Sequence, residues 1–163
     1  MRHYPTRSAV VVLFIFFGCF TFFSRIAQSS PPPFDADLSP IEDTKAYKMF
    51  LMRPYSELSK IVFLIDRFKE SKVKVVYDDI YFDAAFAARV AKWFLSQHYR
   101  KENAREWIML YCNQSLVDHK LIWVADEKGG FKLSREVLLS ALQELEEVCA
   151  HDPHLSSPKK FSR

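Results

Sequence analysis

Residues 57–82, ELSKIVFLIDRFKESKVKVVYDDIYF, contain the change of hydrophobic period that decides the fold class. In its first half, apolar side chains recur at the spacing of one helix face. They are Leu58, Ile61, Val62, Ile65 and Phe68. The basic side chains outside that stripe are Lys60, Arg67 and Lys69. From residue 72 the pattern becomes a near alternation of β-branched and aromatic residues, broken at Asp78-Asp79, which predicts two short strands joined by a turn.

Helices are expected on both sides of this unit. Their predicted N-caps are Ser39, Asp83, Asn103 and Ser134. Residues 120–125, KLIWVA, predict a strand that turns through Gly129-Gly130 into a partner near residues 131–133. The pattern therefore predicts an α+β fold, a single small domain of four to five helices with two short antiparallel hairpins. We expect this domain to cover residues 40–149 and a disordered tail to cover residues 150–163.

A strongly apolar stretch precedes the domain. Residues 8–24, SAVVVLFIFFGCFTFFS, carry no charge, and Arg2, Arg7 and Arg25 flank them. A helix of this length spans about 25 Å at 1.5 Å per residue, slightly less than a hydrocarbon core of roughly 30 Å. Since basic residues before such a segment stay in the cytoplasm, everything after Arg25 should cross the membrane. We expect residues 1–28 to be a signal peptide or signal anchor that associates with the membrane through residues 8–24.

The leader leaves two processing routes open. Ala27-Gln28-Ser29 is a moderate peptidase site, so cleavage and retention are both compatible with the sequence. Gly18-Cys19 resembles the end of a lipoprotein box, but the bulky residues before it and the apolar run after it argue against lipidation. Residues 29–39 include three consecutive prolines and predict an extended spacer. The domain should thus be periplasmic, or anchored to the inner membrane and exposed outside the cytoplasm.

Composition excludes several common function classes. The chain has 23 basic and 20 acidic residues, and three of the basic ones lie in the first 25 positions, so residues 26–163 are balanced at 20 and 20. That balance argues against a nucleic-acid partner, which clustered Lys and Arg would recognise. Only Gly129 and Gly130 lie beyond the leader, and the glycine-rich phosphate loops and the nucleophile elbow are therefore absent.

Cys112 and Cys149 are the cysteines beyond the leader, and an oxidising compartment would allow them to form a disulfide. Two buried free thiols are the alternative that we favour, because the sequence does not show whether the two Cα atoms approach within about 7 Å. A third alternative makes Cys112 a nucleophile with His98 or His119 as its base. No local motif supports that arrangement.

Other candidate sites have simpler explanations. His151 and His154 lack a third metal ligand, and Asp78, Asp79 and Asp83 miss the spacing and the glycine of a calcium loop. We therefore predict neither a metal nor a cofactor. A final set of aromatic residues could line a ligand groove, but in a domain this small we expect them in the core. These residues are Tyr77, Tyr81, Phe82, Trp93 and Trp123.

Residues 57–148 resemble the YfeK-like family of small exported bacterial proteins of unknown function. The resemblance rests on the order of an amphipathic helix, the hairpin YDDIYF, the alanine-rich helix AAFAARVAKWF, the helix ENAREWI, the turn CNQSLVDHK and the strand LIWVA. The chain departs from the family at Asp78-Asp79-Ile80, where an Arg-Asn-Gly turn is typical. It departs again at Asp118-His119, where a Ser-Gly pair is typical. The resemblance implies an exported domain without an established active site.

These patterns together predict an envelope protein with a non-catalytic binding or scaffolding role, with an envelope protein as a candidate partner. The rival hypothesis is an enzyme, or an enzyme accessory, that acts on an envelope component such as peptidoglycan, with acid and base drawn from Asp79, Asp83 and His98. That hypothesis requires a cleft that partly buries at least one of these groups. A third hypothesis is a subunit of a membrane complex, which would retain the leader as a packing helix.

Overall fold

A computed structural model, which describes Phe34 and residues 40–151, contains five helices and a four-stranded antiparallel sheet. The helices are α1 (Lys45–Leu51), α2 (Glu57–Glu70), α3 (Ala84–His98), α4 (Ala104–Tyr111) and α5 (Ser134–His151). The strands are β1 (Lys74–Tyr77), β2 (Ile80–Asp83), β3 (Trp123–Ala125) and β4 (Phe131–Leu133). The predicted α+β class is confirmed. The predicted leader, almost all of the spacer and the tail from residue 152 lie outside the described residues.

Within the part of the chain that the structure describes, no helix is long and apolar enough to cross a membrane.

The sheet joins the two predicted hairpins into one layer with strand order β2-β1-β3-β4. Both hairpins are confirmed, and β1 pairs with β3 so that Val75 lies opposite Val124. At the first turn, Asp78 and Asp79 have φ values of 51° and 60°. This two-residue loop with positive φ at both positions matches the right-handed twist of the strands, and short polar residues such as Asp tolerate it.

Helix α2 occupies the centre of the helical layer and packs against α1, α3, α4 and α5. Its apolar stripe is wider than predicted, since Phe63 and Leu64 are buried together with Ile61. The basic residues Lys60 and Arg67, which lie outside the predicted stripe, are buried as well. The sequence pattern missed this because α5, which arrives much later in the chain, covers that side of α2.

Two ion-pair groups attach α5 to this buried side of α2. Lys60 Nζ lies 2.9 Å from Glu57 Oε1 and 3.0 Å from Glu146 Oε1. Burial alone would lower the pKa of Lys60, but its hydrogen bonds to the two carboxylates outweigh burial and raise that pKa. Arg67 donates from Nη1 and Nη2 to the two carboxylate oxygens of Glu144, at 2.8 and 3.2 Å. Each buried cation is therefore paired with a carboxylate of the last helix.

The helix caps agree with the sequence at two places and differ at two others. The side chains of Asp83 and Asn103 accept from the backbone N–H groups of Phe86 and Glu106, so both predicted caps are confirmed. The first α-helix is capped by Thr44, after a 3₁₀ turn at Ile41–Asp43, while Ser39 lies outside the described residues. Ser134 is the first residue of α5, and its hydroxyl donates to the Cys112 carbonyl rather than capping the helix.

A second, smaller core lies beneath the sheet and includes Val73, Val124 and Val137. Phe34, from the predicted spacer, packs against this cluster. A Cβ added at Gly130 would lie 2.8 Å from the Phe34 Cα, so glycine is required where the spacer passes the β3–β4 turn. This approach fixes one point of the spacer on the domain.

Candidate functional site

An apolar groove of about 390 Å³ lies between α3, α4 and the sheet. Its volume falls at the lower end of the range for small-molecule pockets, roughly 300–1,000 Å³. Helix α2 forms the floor with Leu64, Ile65 and Phe68. Helix α3 forms one wall with Phe86, Ala87, Val90, Ala91 and Phe94. Every lining side chain is uncharged, so the interior of the groove favours apolar groups over ionic ones.

The composition of α3 explains why this space stays open. Ala88 is buried against the helical core, where a small side chain allows α2 and α3 to pack closely. Ala87 and Ala91, on the adjacent face, line the groove and fill little of it. Phe86 and Val90 are exposed at its rim. The sequence did contain a signal, because Phe86, Val90 and Phe94 recur every four residues as a second apolar stripe on the alanine-rich helix.

Aromatic rings close one end of the groove. The rings of Phe94 and Tyr111 meet edge to face with their centroids 5.2 Å apart. Trp107 is buried beside them and its ring lies 5.9 Å from that of Tyr111. His98, at the last turn of α3, stacks on Phe94 at 4.2 Å. These contacts hold the rings in place, so this end of the groove is preformed.

The opposite rim is a loop, residues 113–122, closed by backbone pairing. Gln114 pairs with Leu121 in an antiparallel bridge, and Ser115 N–H donates to the Lys120 carbonyl at 2.9 Å. The loop is tied to the β1–β2 hairpin by the Tyr77 hydroxyl, which donates to Asp118 Oδ2 at 2.8 Å, and by the ion pair of Lys120 with Asp78. Leu116, at the loop tip, is exposed and lines the groove. The loop is therefore an apolar lip in a defined position.

Polar groups in the groove are few and neutral. Ser134 donates its hydroxyl hydrogen to the Cys112 carbonyl at 2.5 Å, which holds the start of α5 against the end of α4. Cys112 and Cys149 are not joined to each other by a disulfide. Cys112 lines the groove, and burial of its thiol raises the pKa to about 12. A thiol that stays protonated at neutral pH is a poor nucleophile, which disfavours the catalytic alternative for Cys112.

The three residues of the enzyme hypothesis do not meet in one place. Asp83 precedes α3 and His98 ends it, so the 15-residue helix separates their backbones by about 22 Å at 1.5 Å per residue. Asp83 is exposed, and one of its carboxylate oxygens caps α3 by accepting a hydrogen bond from the Phe86 N–H. Asp79 is exposed in the hairpin turn. None of the three lines the groove.

The acidic groups lie in turns and caps as expected, whereas His151 lies in the last turn of α5 and not in the predicted tail. Asp78 and Asp79 form the turn, and Asp78 pairs with Lys120. Among the described residues, no group of three or more His, Cys, Asp or Glu side chains could hold a metal ion. His151 contacts the Glu147 carbonyl through Nδ1 at 2.6 Å, while His154 lies outside the described residues.

The aromatic residues singled out in the sequence were placed wrongly. None of the five is fully buried, and the expectation that they form the core is incorrect. Trp93 is 64% exposed on the outer face of α3, and Tyr81 and Trp123 are also exposed. Phe82 alone of this set lines the groove. The core instead uses Phe50, Phe63 and residues of α5.

Comparison of the chain with protein-family models, with curated proteins and with solved structures finds no match. The resemblance to the YfeK-like family therefore stays a prediction.

Proposed function

We propose that this chain is a non-catalytic binding protein of the cell envelope, and that the groove between α3, α4 and the sheet is its binding site for an apolar ligand. The observation that carries the proposal is the lining of the groove, in which about 390 Å³ is enclosed by uncharged and mostly apolar side chains. Exposed Phe86, Val90 and Leu116 extend this surface to the outside. Exposed apolar surface of this kind is typical of a site that is covered in the working state.

The chemistry of the groove favours binding over catalysis. Its lining offers hydroxyl, amide and thiol groups but no carboxylate, imidazole or amine that could transfer a proton. The one strong nucleophile among the lining residues, the Cys112 thiol, has its pKa raised to about 12 by burial. The acidic residues of the enzyme hypothesis lie outside the groove. A role that needs only shape and apolar contact accounts for all of these features.

The envelope location is proposed from the sequence of the leader. Residues 8–24 supply the apolar segment, and the flanking Arg2, Arg7 and Arg25 supply the charge pattern that directs the domain across the membrane. The packing of Phe34 on the domain supports a short connection, because eight residues lie between it and Arg25 in the sequence.

A matched pair of variants tests the groove. Ala87→Phe places a ring inside the groove, whereas Ala85→Phe places the same ring on the same helix outside the lining. The full chain in lipid nanodiscs is titrated with 1-aminoanthracene, and empty nanodiscs give the bilayer background. We expect Ala87→Phe to abolish the saturable fluorescence signal and Ala85→Phe to preserve it. Thermal unfolding should show Ala87→Phe to be at least as stable as the parent chain, because the ring fills existing space.

Equal probe binding by both variants, or no saturable signal from the parent chain, would contradict the proposed site. The compartment is tested separately by intact-mass analysis of the chain from its cells. A mature start near Ser30 indicates a free exported domain, and a start at Met1 indicates an anchored one. Protease added outside sealed cells whose outer barrier has been removed should digest the domain in both cases. A domain that survives until the inner membrane is broken would contradict export.

A further inference from the structure

We propose that the groove binds a single acyl chain that carries an anionic head group, with the head beside Arg89 and the methyl end among Phe94, Trp107 and Tyr111. This inference rests on the proposed function and names the ligand class of the same site. The shared chemistry, one acyl chain and one anion, is found in a free fatty acid and in a single-chain phospholipid.

The length of the groove favours a chain over a compact ring system. Phe86 and Phe94 both line it, and eight helical residues separate them along the axis of α3, which corresponds to about 12 Å. Across this axis, α2, α4 and the sheet all contribute lining residues. An uncharged space of this length fits a hydrocarbon chain, whose burial contributes about 0.8 kcal/mol for each methylene group.

The two ends of the groove differ in charge. At the end lined by Phe86, the Arg89 guanidinium lies 5.8 Å from the ring centroid of Phe86. At the other end the walls are the aromatic rings of Phe94, Trp107 and Tyr111. A chain with one charged end can therefore enter in only one favourable direction, with its anion towards Arg89 and its methyl group towards the rings.

Arg89 is available for such an anion. No carboxylate of the described residues lies within ion-pair distance of its guanidinium, and α3 contains no acidic residue. The neighbouring cation Lys92 is by contrast paired with Asp66 at 2.5 Å. Lys120, on the opposite lip, is paired with Asp78 and Asp118. Among the described residues, Arg89 is thus a cation without a carboxylate partner next to the apolar lining, and an anionic head would complement it.

The walls also argue against a partner helix as the occupant. A helix with its side chains is about 10–12 Å wide, and it needs a shallow, open trough. Here Leu64 of α2, Trp107 of α4 and Leu138 of α5 line the same space as the α3 wall. Because side chains of these three helices line the space below its rim, it accepts an acyl chain more readily than a helix about 10–12 Å wide.

Photoaffinity labelling tests both the ligand and its direction. The full chain in nanodiscs is exposed to two decanoic acids, whose extended chains match the length of the groove, one with a diazirine near the methyl end and one with a diazirine near the carboxyl group. Mass spectrometry of the digest locates the labelled residues. We expect the first probe to label Phe94 or Tyr111 and the second to label Phe86 or Val90. Parallel experiments use the methyl ester of each acid, which has a neutral head group. Others use lysophosphatidylglycerol with the same diazirine chains, which represents a phospholipid as the source of the ligand.

Two substitutions of the exposed Arg89 test the charge. Arg89→Gln should lower labelling by the acid about fivefold at subsaturating probe and leave labelling by the ester unchanged, since only the charged head interacts with the guanidinium. Arg89→Lys should retain most of the labelling by the acid. Stronger labelling by the acid identifies a fatty acid as the source, and stronger labelling by the lysolipid identifies a single-chain phospholipid.

Several results would overturn the inference. Groove labelling in the reverse direction, or an equal effect of Arg89→Gln on acid and ester, would refute the assigned head position while the apolar site of the proposed function stands. Absence of labelling in the groove, combined with retained 1-aminoanthracene binding that Ala87→Phe abolishes, would refute the acyl ligand alone. Loss of both signals would refute the inference and the proposed function together. Protection of the groove by a co-purifying protein, without acyl labelling, would also refute the acyl ligand.

Discussion

Replacement of Glu144 by Gln should destabilise the domain, because it removes the counter-charge of a buried arginine. The Arg67 side chain is 3% exposed and donates two hydrogen bonds to the carboxylate of Glu144, whose side chain is 44% exposed. Gln has nearly the same shape and can still accept one of the two bonds. The substitution therefore changes the charge and one hydrogen bond and leaves the packing between α2 and α5 almost intact.

The magnitude follows from the unequal exposure of the two partners. Removal of one member of a fully buried ion pair costs about 3–5 kcal/mol. An exposed pair contributes only about 0.2–1 kcal/mol. Since water reaches the carboxylate side but not the guanidinium, we expect a loss of about 2 kcal/mol, between these limits. For a domain of this size, each 1 kcal/mol lost from the free energy of unfolding lowers the midpoint of thermal unfolding by about 4 °C. The melting temperature should therefore fall by about 8 °C.

The measurement is thermal and urea unfolding of the full chain, followed by circular dichroism. Glu147→Gln is the matched control, because Glu147 lies on the same helix, is exposed, and its side chain accepts a hydrogen bond from the nearby exposed Gln143. The control should change the unfolding free energy by less than about 0.5 kcal/mol. Arg67→Met combined with Glu144→Gln should be at least as stable as Glu144→Gln alone, since no buried charge remains. Equal stability of Glu144→Gln and the control would show that Arg67 is hydrated, and the central position assigned to α2 would be wrong.

Three further changes probe the turns and the electrostatics. Asp79→Gly should stabilise the domain by about 0.5–1 kcal/mol, because glycine adopts the positive φ of the type I′ turn without steric cost; a loss of stability in urea unfolding would contradict that turn geometry. Gly130→Ala should destabilise it by about 1–3 kcal/mol and increase proteolysis beside Phe34, since the new Cβ would lie 2.8 Å from the Phe34 Cα; unchanged cleavage and stability would place the spacer elsewhere. Glu57 has a pKa below its ordinary value of 4.5, because hydrogen bonds from the Ala104 N–H and from Lys60 outweigh the opposing effect of burial. A carboxyl group whose pKa is lower in the folded than in the unfolded chain stabilises the fold at pH values above the unfolded pKa, so the free energy of unfolding should decrease as the pH falls below about 4.5. In urea unfolding at a series of pH values, Glu57→Gln should reduce this decrease, and an unchanged dependence on pH would refute the network.

Local sequence patterns predicted the elements of this fold well. The change of period after residue 70, the polar turn at Asp78-Asp79 and the caps at Asp83 and Asn103 depend on neighbours within four residues, and all of them are present. The merging of two hairpins into one sheet depends instead on the pairing of Val75 with Val124, which are 49 positions apart. No local pattern specifies that pairing, and the sheet could be predicted only as two separate hairpins.

Burial of charge was the feature that the sequence could not reveal. Lys60 and Arg67 lie outside the apolar stripe of α2, and a helix taken alone would place them in solvent. They are buried because α5 packs against this side of the helix. Its Glu146, 86 positions after Lys60, and its Glu144, 77 positions after Arg67, neutralise the two cations. The prediction for the aromatic residues was wrong in the opposite sense, because residues expected in the core are exposed. Trp93 and Tyr81 have the composition of core residues, yet they lie on the outer faces of α3 and β2, where no later element covers them.

The groove results from the same long-range packing, and its persistence is informative about function. Two larger side chains at Ala87 and Ala91 would fill much of it, and filling apolar space of this size is a common route to higher stability. The domain instead retains small residues at the wall and places rigid rings of Phe94 and Tyr111 at the closed end. A protein that needed only a stable scaffold would gain from closing this space, whereas a protein that admits a ligand must keep it open. The Ala87→Phe variant tests this reasoning, because a site kept open for a ligand predicts a gain in stability together with a loss of binding, whereas a gain in stability with no binding to lose would contradict it.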